Sequence, residues 1–167
     1  MKKNLIINNF IILTDTRQQK ESHILKEFDK QGVLHIRTTL PSADYMAVRF
    51  NAERGFYLDY SVLIDTKKDL EEIAGNLCNS KNHERVKREI FKGQELDCDK
   101  FIFLINSGKV KTFEDLQNWT SKRTQVNGST LIKVFNTMKE RYNVNFVLVP
   151  KKKMGETVIK LLRGNNE

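Results

Sequence analysis

Cysteine is scarce in this chain. Cys78 and Cys98 are its only two, with no C-x-x-C pairing and no disulfide framework around them. They read as reduced thiols of a cytosolic protein. Long apolar runs are missing too, since none approaches the ~20 residues a membrane-spanning helix needs. The opening Met1-Lys-Lys-Asn-Leu-Ile-Ile is too short and interrupted for a signal peptide. A cytoplasmic location with no membrane partner is therefore expected. Of the three histidines, His23 and His35 have no spacing that suggests zinc. His83, at the start of a helical pattern, reads as a structural residue or an auxiliary near a site. No repeat, low-complexity tract or interior linker divides the sequence. Acidic residues thin out toward the C-terminus. Between residues 120 and 167 ten Lys or Arg face only Glu140, Glu156 and Glu167, a local +7 within a chain of net charge +8. That excess suits a polyanionic partner, nucleic acid first, or else is simply a basic surface.

What is present is the composition of a folded domain. Hydrophobic residues are 39% and charged residues 30% of 167 positions, which suits a single well-packed domain over residues 1–167. Residues 10–14 (FIILT) form an apolar, partly β-branched strand, followed by a loop at Asp15-Thr-Arg-Gln-Gln. Ser22 is placed to cap a helix that runs to about residue 30, with Ile24, Leu25 and Phe28 on its buried face and Gly32 at its C-cap. Strands are expected at 33–40 and 45–49, around the turn Pro41-Ser-Ala-Asp44. A hairpin tip at 51–55 leads back into a strand at 60–64. The period then changes: Leu70, Ile73, Ala74 and Leu77 fall on one helical face.

A second helix over residues 83–92 buries Val86 and Ile90, and residues 93–99 read as a loop. The continuous apolar run KFIFLI at 100–105 predicts a strand buried on both faces. Thr112 caps a short helix carrying Phe113, Leu116 and Trp119, and residues 120–128 read as a mobile basic loop. Leu131, Phe135, Met138 and Tyr142 mark another helix, residues 145–149 a last strand, and residues 154–162 a closing helix. Helices alternating with buried strands predict an α/β fold, a central mixed sheet flanked by helices.

Chemistry concentrates at two carboxylates. Asp44 enters one strand of the hairpin and Asp65 ends the other, so pairing brings them together. Lys67 lies two residues past Asp65, and residues i and i+2 of a strand point to one face. Two carboxylates and a backbone carbonyl suit Mg²⁺, a hard cation with oxygen ligands. Such an ion activates water and stabilises charge on a phosphoryl oxygen, and the lysine can orient the water or offset that charge. Asp-X-Lys also occurs by chance at solvated strand ends. Farther on, Arg85, Arg88 and Lys92 recur at i, i+3 and i+7. They form either a stripe for a phosphate backbone or a solvated face paired with Glu84 and Glu89.

These residues together resemble the XPF-type structure-specific nuclease domain, a branch of the restriction-endonuclease-like PD-(D/E)XK superfamily. The resemblance runs through "LTDTRQQ" from Leu13, "LPSADY" from Leu40, "VLIDTKKDLEEIAGNL" from Val62, "HERVKREI" from His83 and "KFIFLI" from Lys100. It is nearest to compact single-domain versions in phages and prophages, which "STLIKVFNTMKERYNVNFVLV" and "GETVIKLL" also resemble. It implies a restriction-endonuclease-like sheet and a Mg²⁺-dependent DNA endonuclease, with Mn²⁺ able to substitute. Asp44 and Asp65 match its metal ligands and Lys67 its catalytic lysine. The Thr66 carbonyl is a further ligand and Asp15 an auxiliary metal or water ligand. Glu71 falls on its final acidic position, and Arg85, Arg88, Lys92 and Arg17 are expected at DNA. Gln18, Ala43 and Thr66 stand where the family has glutamate, glycine and arginine.

The substrate so implied is branched or flapped DNA in recombination or replication of a mobile element, in the host cytoplasm if phage-encoded. The tandem helix-hairpin-helix module of eukaryotic and archaeal relatives is not in this sequence, and docking through it is not expected. Two alternatives stay open: a homodimeric enzyme acting on four-way junctions, and a DNA-binding module that keeps the fold without turnover.

Overall fold

The computed structural model describes residues 10–18 and 21–164; the N-terminal stretch on which the signal-peptide expectation rests lies outside them. The fold is organised around the strand β5 (Lys100–Asn106). Its apolar residues are buried on both faces. Phe101, Phe103 and Ile105 enter one core cluster, and Ile102 and Leu104 enter the other. On its two sides lie β4 (Gly55–Lys67) and β6 (Val144–Val149), both parallel to it. Beyond β4 come β3 (Tyr45–Asn51), antiparallel, then β1 (Phe10–Asp15) and the edge strand β2 (His35–Thr38). The six strands run in the order β2-β1-β3-β4-β5-β6. This is the mixed sheet expected of an α/β fold.

Helices cover both faces because each carries one apolar stripe. On one side α1 (Ser22–Lys30) and α6 (Met154–Arg163) bury Ile24, Phe28, Val158 and Leu162. On the other, α2 (Leu70–Cys78), α3 (Ser80–Glu95), the short α4 (Phe113–Gln117) and α5 (Gly128–Tyr142) bury Ile73, Ile90, Leu116 and Phe135. Thr112 makes the expected cap, as a full capping box with Asp115. Among the described residues no helix is long and apolar enough to cross a membrane.

Four local expectations are corrected. The residue before α1 is Glu21, with Ser22 as the first helical residue, and no side chain caps it. The helix expected to stop before Gly93 continues to Glu95. Gly93 there is a packing residue: a Cβ on it would meet the Phe101 ring at 2.9 Å. Trp119 lies outside α4 and packs, partly buried, against the core. The 120–128 stretch is held by hydrogen bonds from Ser121 to Val126 and from Gly128 to Trp119.

Candidate active site

Three adjacent strands end at one place. Asp15 closes β1, Asp44 immediately precedes β3, and residues 65–67 close β4. The Asp44 main chain is clamped between its neighbours, its carbonyl accepting from Asp15 N–H at 2.8 Å and its N–H donating to Ile64 O at 2.9 Å. Ala43, just before it, sits at φ 61°, in the left-handed region that favours glycine. The Cβ costs about 1–2 kcal/mol there. Ala43→Gly is therefore expected to raise the unfolding free energy by about 0.5–1 kcal/mol, net of the extra freedom of glycine in the unfolded chain. Denaturant unfolding in chelator checks this.

The Asp44 carboxylate is held from one side only. Its Oδ2 accepts from Thr66 N–H at 2.7 Å, from Thr66 Oγ1 at 2.7 Å and from Gln18 Nε2 at 2.9 Å. Gln18 Nε2 also donates to Thr66 Oγ1 at 2.7 Å. Oδ1 accepts no hydrogen bond among the described residues. Burial first, and the neighbouring Asp65 charge second, push the Asp44 carboxyl up to about 7, against the lowering pull of Thr66 and Lys67. Asp65 and Lys67, two apart on the strand, share one face, and the Lys67 ammonium donates to Asp65 Oδ1. The ammonium also lies 5.5 Å from the centre of the Phe103 ring. Burial acts to lower the Lys67 pKa, but Asp65, Asp44 and Glu72 together hold it above the ordinary lysine value.

Asp15 is differently committed. Its Oδ1 accepts from Arg17 N–H and Nε, and its Oδ2 from Arg17 Nη2 and Leu40 N–H, all at 2.7–2.8 Å. Four donors match the roughly four lone-pair sites of a carboxylate. Burial opposes its charge, but the Arg17 and Leu40 donors prevail and hold its pKa below the usual value. Arg37 extends this frame, its Nη2 donating to the Thr16 and Gln18 carbonyls at 3.1 and 2.9 Å.

Two adjoining clefts, of about 240 and about 600 Å³, share Arg17, Gln18, Asp44, Asp65, Lys67 and Arg85 in their walls. Asp15, Asn76 and Glu89 line the smaller; Thr66, Lys68, Glu72, Asn106 and Lys151 line the larger. The cation-rich wall suits a phosphate ester, and the two carboxylates suit an oxygen-seeking cation. No three His, Cys, Asp or Glu side chains form a ready-made metal cage among the described residues.

A family model for the ERCC4 domain matches residues 14–162. The chain belongs to that family, the XPF-type nuclease domains. Its fold matches XPF from Aeropyrum pernix with a TM-score of 0.64 at 15% identity, over 92% of this chain and 63% of that one. XPF from Aeropyrum pernix in complex with DNA matches with the same figures. The chain thus spans under two thirds of the length of these structures. No curated protein matches it.

Within this ERCC4 domain, the residues singled out in the sequence divide. Asp44, Asp65, Thr66, Lys67, Arg17 and Arg85 meet at the clefts, Arg85 also donating to Asn76 Oδ1 at 3.0 Å. Arg88 and Lys92 lie outside the walls, and Lys92 pairs with Glu89 at 3.1 Å. His83 contacts the Leu77 carbonyl through Nδ1 at 3.0 Å, also outside them. Glu71 is not brought to the clefts either, its carboxylate being taken by Ser121 and Lys122. Two of the family departures, Gln18 and Thr66, prove to be hydrogen-bonded to each other and to Asp44. Sequence reasoning missed the wall residues Glu72 and Asn76. Their i, i+4 spacing just beyond Lys67 is the signal that could have found them, since it puts both on one flank of α2.

Proposed function

We propose that this chain is a divalent-metal-dependent DNA endonuclease, using Mg²⁺ with Mn²⁺ as a substitute, and acting on branched or flapped DNA. The observation that carries the reading is the convergence of Asp44, Asp65 and Lys67 on one cation-lined cleft, in a chain of the ERCC4 family. The donor set fits a hard cation: Asp44 Oδ1, the Asp65 carboxylate and the Thr66 carbonyl are all oxygens. Thr66 N–H points to Asp44, and in an extended strand a residue's C=O lies on the same side as its N–H. Burial first, and the Asp65 charge second, raise the Asp44 pKa, and Lys67 does not fully offset them. When bound, the cation supplies Lewis acidity to the phosphate and to water.

The chain's own groups do the rest. Gln18 and Thr66 hold Asp44 Oδ2 so that Oδ1 faces the cleft. Lys67, kept protonated, orients the attacking water and offsets charge building on the phosphate. Water oxygen bonds to phosphorus and releases a proton to solvent, one phosphorus–oxygen ester bond breaks, and the departing oxygen takes up a proton from solvent. Asp15 acts as the anchor of Arg17, in place of the ligand role implied by the resemblance, and Arg17 and Arg85 contact the DNA backbone. The preference for branched DNA in mobile-element recombination or replication rests on the resemblance.

The test is a panel of labelled flap, fork, four-way and linear DNAs with Mg²⁺, Mn²⁺ or chelator. Metal-dependent cutting of branched DNA is expected, with Asp65→Asn binding but not cutting. Selective cutting of four-way DNA by a stable dimer favours the resolvase alternative. A wild type that binds but never cuts with either metal overturns the enzyme reading.

A further inference from the structure

The sequence reads the basic loop between α4 and α5 as mobile, and the resemblance makes Glu71 an auxiliary acidic residue of the site. The structure joins these two features to each other. Ser121 Oγ donates to Glu71 Oε2 at 2.6 Å, and Lys122 N–H donates to Glu71 Oε1 at 2.7 Å. The same Ser121 Oγ accepts from the N–H groups of Arg123 and Thr124 at 3.1 and 2.9 Å. A bridge between Thr120 and Asn127 closes the loop at its base. The backbone is therefore tied to the first turn of α2, four residues after Lys67.

This clamp leaves the cations outward. The Glu71 charge is directed at a hydroxyl and a main-chain N–H. The side chains of Lys122 and Arg123 are exposed, and neither makes an ion pair among the described residues. On α2, Glu72 lines the larger cleft and Asn76 the smaller. Glu71 is turned about 100° from Glu72 around the helix, so the loop stands on a different flank of α2 from the clefts. Flanks turned by 100° on a helix about 10–12 Å across are about 8–9 Å apart, well within the span of a duplex. A duplex arm lying across α2 can reach both.

We propose that residues 121–124 form a second contact for the DNA phosphate backbone, away from the scissile phosphate, and that Glu71 is the positioning residue that sets it. The proposal rests on the nuclease reading above for its partner. It assigns Lys122 and Arg123 to phosphates on the duplex arm, and it explains a carboxylate on α2 that does not enter the clefts.

The test is fluorescence anisotropy with a labelled fork DNA in chelator, so that no strand is cut, over a salt series. Lys122→Ala/Arg123→Ala alters only exposed side chains. It is expected to weaken binding roughly tenfold and to lower the slope of log K against log salt by about 2. Glu71→Ala is expected to lose about threefold and to speed amide exchange at residues 122–124, as release of the loop requires. Lys26→Ala/Lys30→Ala removes the same charge from α1 and is expected to leave the slope unchanged. Wild-type affinity and slope in the loop double variant, or the same loss in the α1 control, overturns the loop contact. Metal-dependent cutting by wild type would then still support the nuclease reading. A wild type that does not bind DNA overturns both.

Discussion

Asp44→Asn is expected to stabilise the metal-free protein at pH 8 while sharply lowering its cutting of DNA. Asp44 has an ordinary carboxyl pKa near 3.8 when unfolded and is pushed up to about 7 in the fold, by burial and by Asp65. Between those values the folded state holds a proton that the unfolded state has released. Stability therefore falls as pH rises from about 4 to about 7, and the full cost is present above 7. At 1.36 kcal/mol per pH unit this amounts to about 4 kcal/mol. Asparagine keeps an oxygen for Thr66 and Gln18 and brings no charge beside Asp65. A gain of about 2–4 kcal/mol at pH 8 follows, seen as a melting temperature higher by roughly 5–10 °C and shrinking toward pH 4. Cutting is expected to fall on the order of 10²–10³-fold. Added Mg²⁺ should raise the wild-type melting temperature and leave that of the variant unmoved. A variant less stable than wild type at pH 8 contradicts the assignment of Asp44 as a destabilising carboxylate.

Lys67→Met should act in the opposite sense on stability and in the same sense on activity. The Lys67 side chain is only 11% exposed and its ammonium is the partner of Asp65. Methionine retains an unbranched stem over Phe103 but removes the charge that offsets two carboxylates. Breaking a buried pair from one side costs about 3–5 kcal/mol, chiefly through the charge left behind. In chelator the variant is therefore expected to melt well below wild type. Asp65→Asn/Lys67→Met should recover much of the loss, with a coupling energy of about 1–3 kcal/mol, and remain inactive. Mg²⁺ should also restore part of the stability of Lys67→Met, because a bound cation replaces the missing charge. Activity that returns along with stability in the double variant would show Lys67 to be structural only.

Local pattern carried much of this architecture. The run at residues 101–105 signalled burial on both faces because every side chain in it is apolar. The hairpin tip and α2 could be read from the change of period alone, and the i, i+2 relation was enough to put Asp65 and Lys67 on one face. Helix ends were less legible. Gly93 looked like a terminator, and only its contact with Phe101 shows why a helix needs glycine there.

By itself, then, the sequence determined the order of strands and helices, the apolar faces that bring them into one mixed sheet, and the candidate pair of carboxylates with its lysine. These follow from periods of two and 3.6 and from chemistry within a few residues. Only the tertiary structure decided how each charge is used. Asp15 is committed to Arg17 and to Leu40, 25 positions away, and Gln18 joins Thr66, 48 positions away, in holding Asp44. Glu71 turns from the clefts to Ser121, 50 positions away. A carboxylate looks the same in sequence whether its lone pairs are filled or open. What fills them comes from strands and loops that are adjacent only after folding.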